Sequence, residues 1–184
     1  MTTHVAAMRL LWGALSGAGA LAATSAGAGP LLADEAEPVL LAAYGDWSVY
    51  GFADGAGARQ CYAATPGSQA TPPLGASDPD WLLVTPYPDA PDPVVSVIAR
   101  YELDEDRAHA LKIGAERFEL LPQGRTAWTA NGDVDARVLA AMQGASEATL
   151  SASAADGFVV GSMFSLTGFA EALAYLEAGC PLKQ

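Results

Sequence analysis

The sequence predicts a mainly β domain, an antiparallel β-sandwich with two short helices packed at its margin. Three observations predict it. Short apolar runs recur along the chain, several alternating with period two and each bounded by turn-forming residues. The 19 glycines and 12 prolines are scattered through the 184 residues, which favours short strands over long helices. Only two segments keep the 3.6-residue spacing of an amphipathic helix. A partly open barrel is the alternative arrangement of the same strands.

The elements follow in order. Asp46 to Phe52 alternates and reads as a strand, and Gln60 to Ala64 reads as a second. Thr65 to Asp80 is rich in Pro, Gly and Ser and reads as a long surface loop. Trp81 to Thr85 is a continuous apolar run, as in a buried strand. Pro86 to Pro93 carries four prolines and must be loop or edge. Val94 to Tyr101 is a strand rich in β-branched residues. Asp104 to Arg107 is a polar turn. Ala110 to Gly114 and Arg117 to Leu121 form a hairpin, and Thr126 to Trp128 a further strand.

Asp133 is suited to cap a helix whose buried stripe is Val134, Val138, Leu139 and Met142, with Gly144 ending it. Ala148 to Ala152 and Phe158 to Phe164 are strands. Thr167 is suited to cap a last helix with Phe169, Leu173 and Leu176 on its apolar face. Gly179 supplies its left-handed stop.

The first 33 residues are of another kind. Arg9 is their only charged side chain, followed by an apolar run from Leu10 to Leu21 diluted by Gly and Ser. The run falls short of the ~20 strongly apolar residues of a spanning helix. Small-residue sites at Ala26-Gly27-Ala28 and Leu31-Leu32-Ala33 complete the pattern of a secretory signal peptide, 1–33, cleaved near 28 or 33. Residues 34–184 then form a single domain. Loss of Arg9 takes the net charge from −12 to −13. Such a chain repels phosphate backbones and anionic lipid, which argues against nucleic-acid partners and suits a soluble exported protein.

The only two cysteines, Cys61 and Cys180, stand 119 positions apart. In an oxidising compartment an even pair reads as a disulfide tying the tail of the domain to its front. Neither has a charged or basic neighbour in sequence to form a nucleophilic thiolate.

The second half carries a more specific pattern. Ala127-Trp128 precedes a helix containing Leu139-Ala140-Ala141-Met142-Gln143-Gly144-Ala145-Ser146. An Ala-Thr-Leu strand, Phe164-Ser165-Leu166-Thr167-Gly168-Phe169, Ala172 and Cys180 follow. With Asp46-Trp47-Ser48-Val49, Cys61-Tyr62-Ala63-Ala64, Trp81-Leu82-Leu83-Val84-Thr85 and Val95-Ser96 upstream, this order resembles the invasion-associated locus B family, exported proteins of alphaproteobacteria. The resemblance runs from about Gly45 to Cys180. It implies an immunoglobulin-like sandwich, a periplasmic or envelope location, and for some relatives a link with invasion of host cells. It brings no catalytic residues. The chain departs from it at Ser162, where an acidic residue often stands, and over Ser153 to Gly157, which lacks basic residues.

The residues offer little chemistry. His109 is the one histidine left after the leader, so a multi-histidine metal site is excluded and a hydrolytic triad would have to use it. It reads as a solvated or edge-strand residue. Asp104, Glu105 and Asp106 lack the spacing of a calcium loop. Glu116 and Glu119, three apart on a strand, point to opposite faces and make a poor glycosidase pair. No cofactor is implied. Trp47, Trp81 and Trp128 read as core residues, with an aromatic sugar platform as the sharper alternative. Arg100 with Tyr101, and Arg125 with Trp128, are the candidate ligand surface. The expected function is that of a non-enzymatic exported protein acting through protein or envelope contacts. A small-ligand or glycan-binding module is the alternative, and a hydrolase the third reading.

Overall fold

Strands β1 (Val39–Tyr44), β2 (Trp47–Ala53), β3 (Arg59–Pro66), β4 (Ser68–Thr71), β5 (Trp81–Thr85) and β6 (Val94–Ile98) are followed by β7 (His109–Ile113), β8 (Glu116–Gln123) and β9 (Thr126–Thr129). Helix α1 (Gly132–Gln143), strands β10 (Glu147–Ser153) and β11 (Val159–Ser165), and helix α2 (Phe169–Glu177) complete the order. This is a computed structural model; it describes residues 37–53, 59–71 and 78–180. The expected leader and its cleavage sites lie outside the described residues.

The strands pair antiparallel throughout, in the order β1-β2-β3-β5-β6-β9-β8-β7-β10-β11-β4. Only Gly67 separates β3 from β4. One stretch of chain therefore pairs with β2 and β5 at its start and with β11 at its end. That bend returns the far end of the sheet to its middle and folds it into two layers around one core. The expected antiparallel sandwich with two helices is what the chain forms.

Period-two alternation decides which side chains enter the core. Trp47 and Val49 of β2, Cys61 and Ala63 of β3, Leu82 and Val84 of β5, and Val95 and Val97 of β6 are buried in register. Trp47 is fully enclosed, with its ring 4.9 Å from that of Phe169 and its indole N–H donating to Ser165 O at 3.0 Å. Each large apolar side chain enclosed in this way contributes roughly 1.5–3 kcal/mol.

Three local expectations are corrected. The segment Thr65 to Asp80 is not all loop, because β3 runs on to Pro66 and β4 pairs with β11. A Cβ at Gly67 would lie 2.9 Å from the Ser162 Cβ and 3.2 Å from Asp80 O, so this bend tolerates only glycine. Helix α1 is capped by Asn131, whose Oδ1 accepts the Val134 N–H at 3.1 Å, while Asp133 lies in the first turn. Helix α2 is capped by Gly168 (φ +88), not Thr167. A Cβ there would stand 2.0 Å from Tyr44 O, so the chain crosses itself at a point only glycine permits. The buried stripe of α2 is as expected, widened by Ala172 and Tyr175, and Gly179 (φ +77) ends the helix.

Helix α1 packs on β6 to β9, and α2 on β1 to β3. One buried carboxylate fixes α1. Asp135 Oδ1 accepts the Val95 N–H at 2.8 Å and the Thr129 hydroxyl. Asp135→Ala is expected to lower stability by about 2–3 kcal/mol, because two enclosed donors lose their acceptor. Asp135→Asn keeps that oxygen and should lose less. Urea melts of the three proteins check this, and an alanine variant as stable as the parent would remove the carboxylate from the account of how α1 docks.

Candidate functional site

The outer surface of the sheet is divided in character. Over β7 and β10 it carries the exposed Lys112, Glu147, Thr149 and Ser151, as a solvated sheet face should. Over β2, β3, β5 and β6 it carries Tyr50, Phe52, Tyr62, Trp81, Leu83 and Ile98, all half-buried. Alternation puts them there, because their neighbours Val49, Gly51, Cys61, Ala63, Leu82, Val84 and Val97 face inward.

Register turns this apolar face into a hollow. Ala64 pairs with Leu83, and Leu83 with Ser96, so small residues flank Leu83 along one line across the sheet. Tyr62, with Tyr50 paired to it, stands two residues to one side. Trp81, paired to Ile98, stands two residues to the other. The two walls are about 13 Å apart along the strand direction, four residues at about 3.4 Å each. Between them lies an open depression of about 260 Å³, lined by Tyr50, Tyr62, Ala64, Trp81, Leu83 and Ile98. Tyr50 and Tyr62 stack at 5.4 Å with 25° between their planes, and Phe52 tilts against Tyr62 at 6.4 Å. Such contacts contribute ~0.5–1.5 kcal/mol each beyond burial and hold the wall in place. Burial, and then the neighbouring Tyr50, push the Tyr62 phenol pKa up. A hollow of about 420 Å³ beside Lys112, Gly144 and Glu147 is larger, but its lining is mostly exposed and holds no aromatic side chain.

The expected ligand residues are distributed differently. The Arg100 side chain is only 2 % exposed and points inward, with Nε 3.5 Å from Oδ1 of Asp80, which is fully buried. Its guanidinium lies 5.2 Å from the Tyr101 ring centroid, and Tyr101 packs against the core. Arg100 and Tyr101 therefore do not form a ligand surface; the buried Asp80, 20 residues back, draws the arginine inside. Arg125 is exposed, with Nε donating to Ala99 O at 2.9 Å. Trp128, half-buried, lies on the same outer face as the hollow, paired to Ser96. Of the tryptophans expected in the core, Trp47 is there, whereas Trp81 and Trp128 are on the outer face.

His109 is also corrected. It is fully buried on a strand flanked by β8 and β10, neither solvated nor at an edge. Its Nε2 lies 2.7 Å from Asp104 O, and its Nδ1 takes the Ser153 N–H at 3.4 Å. The tautomer that fits is protonated on Nε2, and both ring nitrogens serve the backbone. Glu116 pairs with Arg137 at 3.1 Å on the surface. Cys61 and Cys180 are joined as a disulfide, both buried. Among the described residues no group of three or more His, Cys, Asp or Glu comes together in a way that could hold a metal.

Comparison with known proteins adds one likeness. The structure superposes on the crystal structure of invasion associated protein B from Bartonella henselae with a TM-score of 0.54, over 76 % of this chain and 97 % of that one. This chain has the fold of invasion associated protein B. Identity with invasion associated protein B is 17 %, so the likeness lies in the architecture, and it accords with the resemblance carried by the sequence motifs. No protein-family model matches the chain. No curated protein matches it in sequence.

Proposed function

We propose that this is an exported, non-enzymatic protein of the bacterial envelope, related to invasion associated protein B, which acts by contact through the aromatic outer face of β2, β3, β5 and β6. The observation that carries the reading is the asymmetry of the sheet. One outer face is polar, and the other holds three aromatic side chains around an open hollow. Exposed apolar patches of this kind mark interaction sites on soluble proteins. The disulfide suits an oxidising compartment, with the periplasm the natural one for a chain led by a signal peptide. Among the described residues no helix is long and apolar enough to cross a membrane. The enclosure of His109, with both nitrogens engaged, supports a role without catalysis.

Site-specific photo-crosslinking in the exporting cell tests this. A photo-reactive phenylalanine analogue at Leu83, in the hollow, is expected to give a discrete adduct. The same group at Thr149, on the polar face, should give none. Adducts of equal yield from both positions, or from neither, would remove the aromatic face as the contact surface.

A further inference from the structure

We infer that the hollow between Tyr62 and Trp81 is a binding site for a neutral sugar ring. The inference rests on the reading of this face as the contact surface and gives it a ligand class.

Charge is the first argument. The chain carries 21 acidic and 9 basic side chains, yet none of the six residues lining the hollow is ionised near neutral pH. A charged ligand would leave water there without gaining a partner of opposite charge, which disfavours its binding. The site therefore selects uncharged ligands.

Shape is the second. The floor is Ala64 and Leu83, and the walls are aromatic on both sides. A pyranose presents flat C–H faces that stack on such rings while its hydroxyls point outward. The phenol oxygens of Tyr50 and Tyr62 and the indole N–H of Trp81 supply donors and acceptors for those hydroxyls. An acyl chain would use only the aliphatic part of this lining. A volume of about 260 Å³ lies just below the ~300–1,000 Å³ of drug-sized sites, which suits one or two rings rather than a long oligomer. Rigidity is the third argument. Every wall residue stands on a strand paired on both sides, and Tyr and Trp lose little rotamer freedom on binding.

Isothermal titration and saturation-transfer NMR test the site, with methyl β-glucoside and N-acetylglucosamine as neutral probes and glucuronic acid and glucosamine as charged ones. Saturable binding of a neutral probe in the millimolar range is expected, with the charged probes at least about tenfold weaker. Trp81→Ala and Tyr62→Ala should each weaken the neutral probe by about tenfold or more. Thr149→Ala should not, and melting curves must show each variant folded. Failure of every neutral probe to bind overturns the inference, as does equal binding of charged probes or an unchanged affinity in Trp81→Ala. If no sugar binds while Leu83 still crosslinks to a partner, the sugar site falls and the contact surface stands; if neither occurs, both fall.

Discussion

Asp80→Ala is expected to destabilise the domain by about 3–5 kcal/mol and to lower its melting temperature by roughly 10 °C. Asp80 is fully buried and serves groups on three residues. Its Oδ1 accepts the Arg100 N–H at 2.7 Å and faces the Arg100 guanidinium, and its Oδ2 accepts the Ser162 hydroxyl. Its backbone oxygen takes the Gly67 N–H at 2.7 Å, at the bend between β3 and β4. The carboxylate thus sits where the two layers join. Alanine would remove the carboxylate facing the enclosed Arg100 guanidinium and take the acceptor away from two donors, the Arg100 N–H and the Ser162 hydroxyl. Asp80→Asn keeps one acceptor oxygen, puts an amide donor at the other position for the Ser162 hydroxyl to accept, and drops the charge, so its loss should be smaller. The pair is not needed for stability as such, because apolar side chains of similar size often replace a buried ion pair at no cost. Asp80→Leu with Arg100→Met should therefore recover much of the loss, and the non-additivity measures the coupling. Urea midpoints at constant slope give the values. An alanine variant within about 1 kcal/mol of the parent would show that the cluster is solvated in solution.

Ser162 shows why such a cluster is hard to see in a sequence. A serine in the middle of a strand, read alone, looks like an ordinary small residue. In the fold, the carboxylate it meets comes from the start of β5, 82 residues away. The same distance problem explains Arg100. Its place at the end of an apolar strand says nothing about direction, and its pairing with Asp80 accounts for its burial. Strand β4 escapes local reading because its own residues are loop-like and its pairing comes from β11. Gly168 caps α2 because Tyr44 O occupies the space of a side chain, another long-range contact. By contrast, β2, β5, the β7–β8 hairpin and both helices follow from periodicity, because burial of one face is a local pattern. The hollow was half legible. Ser48, Tyr50 and Phe52 alternate against Trp47 and Val49, as Tyr62 alternates against Cys61 and Ala63, which puts all the aromatics of the second set on one outer face. That Trp81 joins them needed the register of β3 against β5.

Breaking the disulfide is the other large effect. Removing the Cys61–Cys180 bond is expected to cost roughly 4–5 kcal/mol, because the unfolded chain then regains the freedom of a loop of 119 positions. That is comparable to much of the net stability of a domain this size. The native contacts should persist, since α2 still packs through Phe169, Leu173 and Leu176, so the loss appears as a lower midpoint rather than a different fold. It should be felt first in α2 and the strands beneath it, β1 to β3, seen as faster amide exchange there than in β7 to β10. Intact mass with and without reductant, followed by alkylation, should find no thiol in the native protein and two after reduction in denaturant. Two alkylated cysteines in the native protein would overturn the cross-link. The bond also holds Cys180 at φ +54, a left-handed backbone that costs a side chain about 1–2 kcal/mol. Without the bond that cost has no compensation. Cys61→Ala with Cys180→Gly should therefore be more stable than Cys61→Ala with Cys180→Ala, by about 1 kcal/mol after the greater entropy of unfolded glycine is subtracted. If the two pairs melt together, residue 180 leaves the left-handed region once the bond is gone, and the cross-link itself imposes that turn of the chain.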